Sequence, residues 1–197
     1  LRVAYLARPI ALIDDRSLPD DAYLVLDLAR AIAEGRGPQY GDAFTNGFQP
    51  LYVWLLSLPM LASDLGSVAG LDAMVKVSVA IGGAFDVLNV GLLFALLRRR
   101  FGDFVAAAVS LAWALNPATV LHSMNGLESS MGVTGLLCLW MTEQRVDRAP
   151  EAAAPRAWLG VALGAAALAR IDALLVGPWL VARALLDQDE VMTQPVG

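Results

Sequence analysis

The chain is short of most residues that soluble catalytic and nucleic-acid-binding domains rely on. Cys138 is its one cysteine and His122 its one histidine, so no internal disulfide can form and no zinc cluster can be assembled from Cys and His. Lys76 is its one lysine, and 14 basic residues face 19 acidic ones for a formal charge of −5. A nucleic-acid binder needs a basic surface, and nucleic acid is therefore excluded as an expected partner. Charged residues make up 17% of the 197, against ~25% in ordinary soluble domains. No basic segment leading into a short apolar core and a cleavage site opens the chain.

Hydrocarbon takes up the difference. Fifty-seven per cent of the residues are hydrophobic and the mean hydropathy is +0.58. Residues 104–127 carry no Asp, Glu, Lys or Arg, and residues 77–97 carry only Asp86; both runs are long enough to cross a hydrocarbon layer. The expected fold is all-α, a polytopic transmembrane helical bundle. The start at Leu1 and the end at Gly197, soon after an apolar segment, read as a fragment from the N-terminal part of a longer polytopic protein.

Residues 1–13 are apolar but broken by Arg2, Arg8 and Pro9, and are expected to be the remnant of a first transmembrane helix. Residues 14–70 then form an extracytoplasmic loop, in which Asp14, Asp15, Asp20, Asp21, Asp27, Glu34 and Asp42 lie outside the hydrocarbon. Asp27, Arg30 and Glu34 recur at i, i+3 and i+7 and predict an interfacial helix over 21–34, capped by Asp20 or Asp21 and ended by Gly35. Residues 35–49 are Gly-rich and read as a loop, with Asn46-Gly47 a turn signal. Pro50 suits the first turn of a helix through Ser63. Its apolar run of about 13 residues rises only ~20 Å, short of the ~30 Å core, which predicts a re-entrant or interfacial helix.

Residues 71–197 are expected to hold the transmembrane helices. Arg98, Arg99 and Arg100 should lie on the cytoplasmic side; 71–97 then descends, 104–121 returns, 122–129 turns outside, and 130–142 descends to a loop with Arg145, Arg148 and Arg156. Residues 157–186 read as one span with an internal ion pair or, preferably, as two short helices meeting outside at 169–172. Gly160 and Gly164 form a GxxxG that suggests close helix packing. Asn89, almost a turn from Asp86, is placed to satisfy it.

Four groups can carry chemistry. Asp20 and Asp21 open the interfacial helix, where one carboxylate can cap and the other accept a proton from a hydroxyl; a cap alone also explains the pair. Thr45, Asn46, Gly47 and Gln49, in TNGFQP, offer polar contacts and a close backbone approach, or simply a turn. Asn125 and Glu128, in HSMNGLE, form an outer turn. Arg170 and Asp172 are either a structural pair or a phosphate-binding cation with its partner.

The succession DDAYLVLDLARAIAEGRG, TNGFQPLY, a span ending in RRR, NGLESSM and ARIDALLV resembles bacterial membrane enzymes of the GT-C glycosyltransferase superfamily over nearly the whole chain. It most resembles members with an Asp-Asp-Ala-Tyr or Asp-Asp-Ala-Phe start and a TNGF-x-P segment. More distantly it is similar to protein O-mannosyltransferases and lipid A aminoarabinose transferases. The resemblance implies an enzyme of the bacterial plasma membrane that transfers a hexosyl or pentosyl group. The donor is a polyprenyl-phosphate-linked sugar, and the acceptor is a hydroxyl of a glycan, lipid or protein on the extracytoplasmic side. Asp20 and Asp21 match the acidic catalytic motif of the first loop. Thr45, Asn46, Gly47, Gln49, Asn125, Glu128, Arg170 and Asp172 are the candidate substrate-binding residues, and the resemblance places Arg170 beside the leaving phosphate. Gln49 stands where many relatives have His. No cofactor is implied with certainty, no metal-ligand set is assigned, and a divalent metal stays open. A chain of this length lacks the full set of spans and is expected to be inactive alone. The competing readings are a transporter or lipid flippase using Asp86, Arg170 and Asp172, or a non-catalytic membrane subunit.

Overall fold

The computed structural model describes residues 2–62, 67–149 and 152–183, without the side chains of 14–17. Among these residues the chain is helical almost throughout. Residues 1–13 do not form the end of one helix: α1 (Arg2–Leu6) stops and α2 (Ile10–Ser17) begins afresh. Pro9 causes the break, because it has no N–H for the preceding turn, and its ψ of 143° carries the chain out of helix. Asp14 and Asp15 fall in α2, with side chains outside the described residues.

α3 (Asp20–Ala33) begins one residue ahead of the expected helix, and the expected aspartate cap is corrected: Pro19 occupies the N-cap and no side chain accepts there. Asp20 and Asp21 stand instead in the first turn, where the helix dipole favours negative charge. The end is as expected. Gly35 takes φ +76°, Arg36 N donates to Ala31 O at 2.9 Å, and Gly35 N donates to Ile32 O at 3.0 Å, the paired bonds of a Schellman close. Arg30 and Arg36 bond to Glu34 and hold its carboxyl below the usual range.

Residues 35–49 are not entirely loop. They include a small ribbon, β1 (Gln39–Tyr40) antiparallel to β2 (Ala43–Phe44), with Gly41 at φ +60° in the connection. α4 (Pro50–Met60) starts on its proline as expected and lays Tyr52, Val53, Leu56 and Met60 against Val25, Leu26, Leu28 and Ala29 of α3. Residues 63–66 lie outside the described residues.

α5 (Val68–Leu115) is helically bonded over 48 residues but interrupted at Gly102, where φ is 80° and ψ 168°. In a straight helix Asp86 and Trp113 would lie about 40 Å apart, yet Trp113 Nε1 donates to Asp86 Oδ1 at 2.9 Å. The element is thus a hairpin of two limbs, 68–101 and 103–115, with the Arg98–Asp103 ion pair of 3.2 Å at the reversal. The returning limb does not run to Leu121 as expected. Asn116 precedes a proline, which disfavours helical backbone; it sits at ψ 121° and its side chain accepts from Ala118 N at 2.9 Å to cap α6 (Pro117–Ser123).

α7 (Ser129–Arg148) and α8 (Ala153–Ala169) form the most extensive helix pair. The seam is not the expected GxxxG: Gly160 and Gly164 face open space, whereas a Cβ on Gly135 of α7 would sit 3.1 Å from Ala166 Cβ of α8. After α8 the chain breaks at Arg170 (φ −152°, ψ 121°), makes a 3-10 turn over Ile171–Leu175, and resumes as helix over 176–183. Of the two readings of 157–186, the two-helix one holds as far as residue 183, and 184–186 lie outside the described residues. Close packing at Gly160 is absent because that face of α8 has no neighbour among the described residues.

The long helices bury polar groups beside apolar ones such as Met74, Val79 and Leu139 and leave large apolar side chains exposed. Ser78, Asp86, Asn89, Ser110 and Thr134 are buried, while Val87, Phe104, Leu111, Leu115, Trp158 and Val161 are exposed. By length and apolarity, α5 is the one described helix able to cross a membrane.

Candidate functional site

Arg170 organises the densest polar cluster. Its Nη1 donates to Glu128 Oε1 at 3.0 Å, its Nε to Asp172 Oδ1 at 3.1 Å and its Nη2 to Asp172 Oδ2 at 3.0 Å. The break after α8 makes this possible, since two residues apart on a helix would diverge. Gly132 on α7 gives the side chain its floor, because a Cβ there would come within 2.8 Å of Arg170 Cγ. The Glu128 side chain is 11% exposed and that of Asp172 56%. The Arg170 guanidinium holds the Asp172 carboxyl below the usual range, and Asp172 in turn raises the Arg170 value.

Gln49, at the N-terminus of α4, joins this cluster: its Oε1 accepts from Ile171 N at 3.2 Å. Three segments far apart in the chain, around Gln49, Glu128 and Arg170, thereby meet. The turn before α7 is held by Asn125, whose Oδ1 accepts from Leu127 N at 3.0 Å, and by Gly126 at φ +75°. Asn125 is thus occupied as a turn former.

Asp20 and Asp21 are exposed, and the turn of α3 that carries them abuts the same region. A Cβ on Gly126 would lie 3.4 Å from Ala22 Cβ and 3.2 Å from Ser78 Oγ. Thr45, Asn46 and Gly47 do not enter the cluster. Thr45 Oγ1 accepts from Gly47 N at 3.2 Å, so this segment is a turn closed by a hydroxyl.

The expected Asp86–Asn89 contact is corrected. Asp86 pairs with Arg2 of α1 and accepts from Trp113, while Arg2 also donates to Ala114 O at 3.2 Å. Asn89 faces α7, donating to Ser130 O at 2.9 Å and accepting from Thr134 Oγ1 at 2.6 Å.

Two features are not apparent in the sequence. Tyr52, 1% exposed, donates its hydroxyl to Gly126 O at 3.0 Å and ties α4 to the turn before α7; a phenol inside an apolar helix was the available signal, since buried tyrosine needs a partner. A cleft of about 510 Å³ lies among α2, α3, α4 and the start of α5, with Leu26, Met60, Met74, Asp27, Arg30 and Asp72 in its walls. Asp27 and Arg30, whose spacing predicted the helix, line this cleft. Among the described residues, no three His, Cys, Asp or Glu side chains are grouped to hold a metal ion. The chain matches no family model, no curated protein and no solved structure.

Proposed function

We propose that this chain belongs to a polytopic membrane glycosyltransferase of the bacterial plasma membrane, moving a sugar from a polyprenyl-phosphate donor to an acceptor hydroxyl on the extracytoplasmic side. The observation that carries the reading is the separation of the polar groups. The α3 turn bearing Asp20 and Asp21, together with Gln49, Glu128, Arg170 and Asp172, gathers at one end of α7. Arg145, Arg148 and Arg183 stand at its other end, near Arg99 and Arg100. The first α5 limb, packed along α7, rises roughly 39 Å from Leu71 to Leu97 at ~1.5 Å per residue, enough to span the ~30 Å hydrocarbon. The arginine end is then cytoplasmic, and the exposed apolar side chains between the ends meet lipid.

In this reading the exposed carboxylate of Asp21 or Asp20 takes the proton from the acceptor hydroxyl. The hydroxyl oxygen attacks the anomeric carbon, the bond from that carbon to the phosphate oxygen breaks, and polyprenyl phosphate leaves with the electron pair. Arg170 can meet that phosphate by exchanging its exposed partner Asp172 while Glu128 keeps the guanidinium in place. Leu26, Met60, Met74 and Val75 give the cleft beside α3 an apolar side that suits an isoprenoid chain. A transporter needs its charges free near the midplane; Asp86 is tied to Arg2 and Trp113, and Arg170 to two carboxylates, which favours the transferase.

The test is transfer from radiolabelled polyprenyl-phosphate sugars in membranes containing this protein, comparing Asp20→Asn and Asp21→Asn. At least one should fall by about 10²-fold or more with the protein still membrane-inserted. Full activity in both rejects the mechanism.

A further inference from the structure

The end of the bundle opposite Arg170 carries, among the described residues, more guanidinium groups than carboxylates pair with. Arg98 pairs with Asp103 at 3.2 Å, and Arg183 with Asp147 at 2.8 Å and with Glu143. Among the described residues no carboxylate pairs with Arg99, Arg100, Arg145 or Arg148, all of them exposed. Three of these arginines converge. Leu96, Arg99 and Arg100 at the end of the first α5 limb face Gln144, Asp147 and Arg148 of α7 across a cleft of about 290 Å³.

The one carboxylate in the wall is already held by Arg183, so the cleft presents three guanidiniums and an amide. Guanidiniums grip phosphate oxygens through paired N–H bonds. Hydrocarbon surface begins next to the cleft, where Phe101 is 54% and Phe104 85% exposed at the hairpin reversal. Positive charge converging from two helices, with bare aromatic surface one turn away, matches a ligand with an anionic head and an apolar body.

We infer that this cleft binds the phosphate headgroup of an anionic phospholipid of the cytoplasmic leaflet. The inference rests on the membrane orientation proposed above and not on the transfer chemistry. A basic residue near an anionic bilayer surface contributes roughly a fivefold factor in binding. Removing two from one cleft should therefore lower the preference for anionic lipid more than tenfold.

The experiment places the full chain in vesicles of phosphatidylcholine with roughly a third phosphatidylglycerol, then extracts it in mild detergent and measures retained lipid by native mass spectrometry. The wild type should retain phosphatidylglycerol preferentially, the double variant Arg99→Gln/Arg148→Gln should lose that preference, and Arg36→Gln, at the far end, should keep it. Circular dichroism establishes that the variants keep their helix content. Equal retention of both lipids by the wild type, or undiminished preference in the double variant, overturns the inference. So does displacement of the lipid by millimolar inorganic phosphate, which would make the cleft a site for the free ion. Alkaline carbonate extraction of the same vesicles separates the two readings: a chain washed off the bilayer refutes the membrane orientation, while an embedded chain without lipid preference refutes the headgroup site alone.

Discussion

Asp86 shows how a single residue ties distant parts of the chain together. At 1% exposure in the middle of a helical limb, its charge is tolerable only with partners, and these come from 84 residues before it and 27 after it, at Arg2 and Trp113. The sequence reveals that such a charge needs a partner. It points to Asn89 because residues three apart share a helix face, but that spacing cannot say which neighbouring helix docks there, and Asn89 serves α7 instead. The same limit applies at Arg170 and Asp172, which diverge on a helix and meet only because the backbone breaks between them. Removing one member of a buried ion pair typically costs about 3–5 kcal/mol, while replacing both with apolar residues is close to neutral. Thermal unfolding of Asp86→Ala should therefore show a loss of that order, and Arg2→Met/Asp86→Leu should recover most of it. Additive losses in the double variant would show that the pair does not act as a unit.

At the scale of elements, proline and glycine set most of the boundaries, and those boundaries were the most legible part of the fold. Pro50 starts α4, Gly35 ends α3, and the arginine-rich stretch before Gly102 marks the reversal of the α5 hairpin. The interruption at Asn116-Pro117 has the same physical cause as that at Pro9 but is masked by continuous hydropathy on either side. Helix contacts were harder to read. The GxxxG of α8 lies on a face without neighbours, whereas the unpatterned Gly82 lies where the end of α6 crosses α5: a Cβ there would collide with the Ser123 carbonyl oxygen. A contact with backbone cannot be relieved by turning a side chain. Gly82→Ala should therefore destabilise by about 1–3 kcal/mol, while Gly160→Ala, in open space within a helix, should be neutral or stabilising by up to ~1 kcal/mol. Both shifts can be read from thermal unfolding in detergent, and an intolerant Gly160 would restore the motif as a packing seam.

The described residues form two unlike ends joined by helices with large exposed apolar side chains and several buried polar groups. Of the candidate site, Gln49, Glu128, Arg170 and Asp172 come together and the turn bearing Asp20 and Asp21 adjoins them. Thr45, Asn46 and Gly47 form their own turn, and Asn125 closes another. The sequence could nominate these residues by chemistry; the folding of α4, α7 and α8 onto one another decides which of them meet. The account depends on the site end and the arginine end lying on opposite sides of a bilayer.

Impermeant maleimide labelling in intact cells tests this most directly. With the sole native thiol removed by Cys138→Ala, single cysteines are introduced at Tyr40, 56% exposed near the site end, and at Ala154, exposed at the arginine end. The account predicts that Tyr40→Cys is labelled without permeabilisation and Ala154→Cys only after it. Labelling of both from outside, or of neither until the cells are opened, would contradict a bundle that crosses the membrane with its site on the outer face.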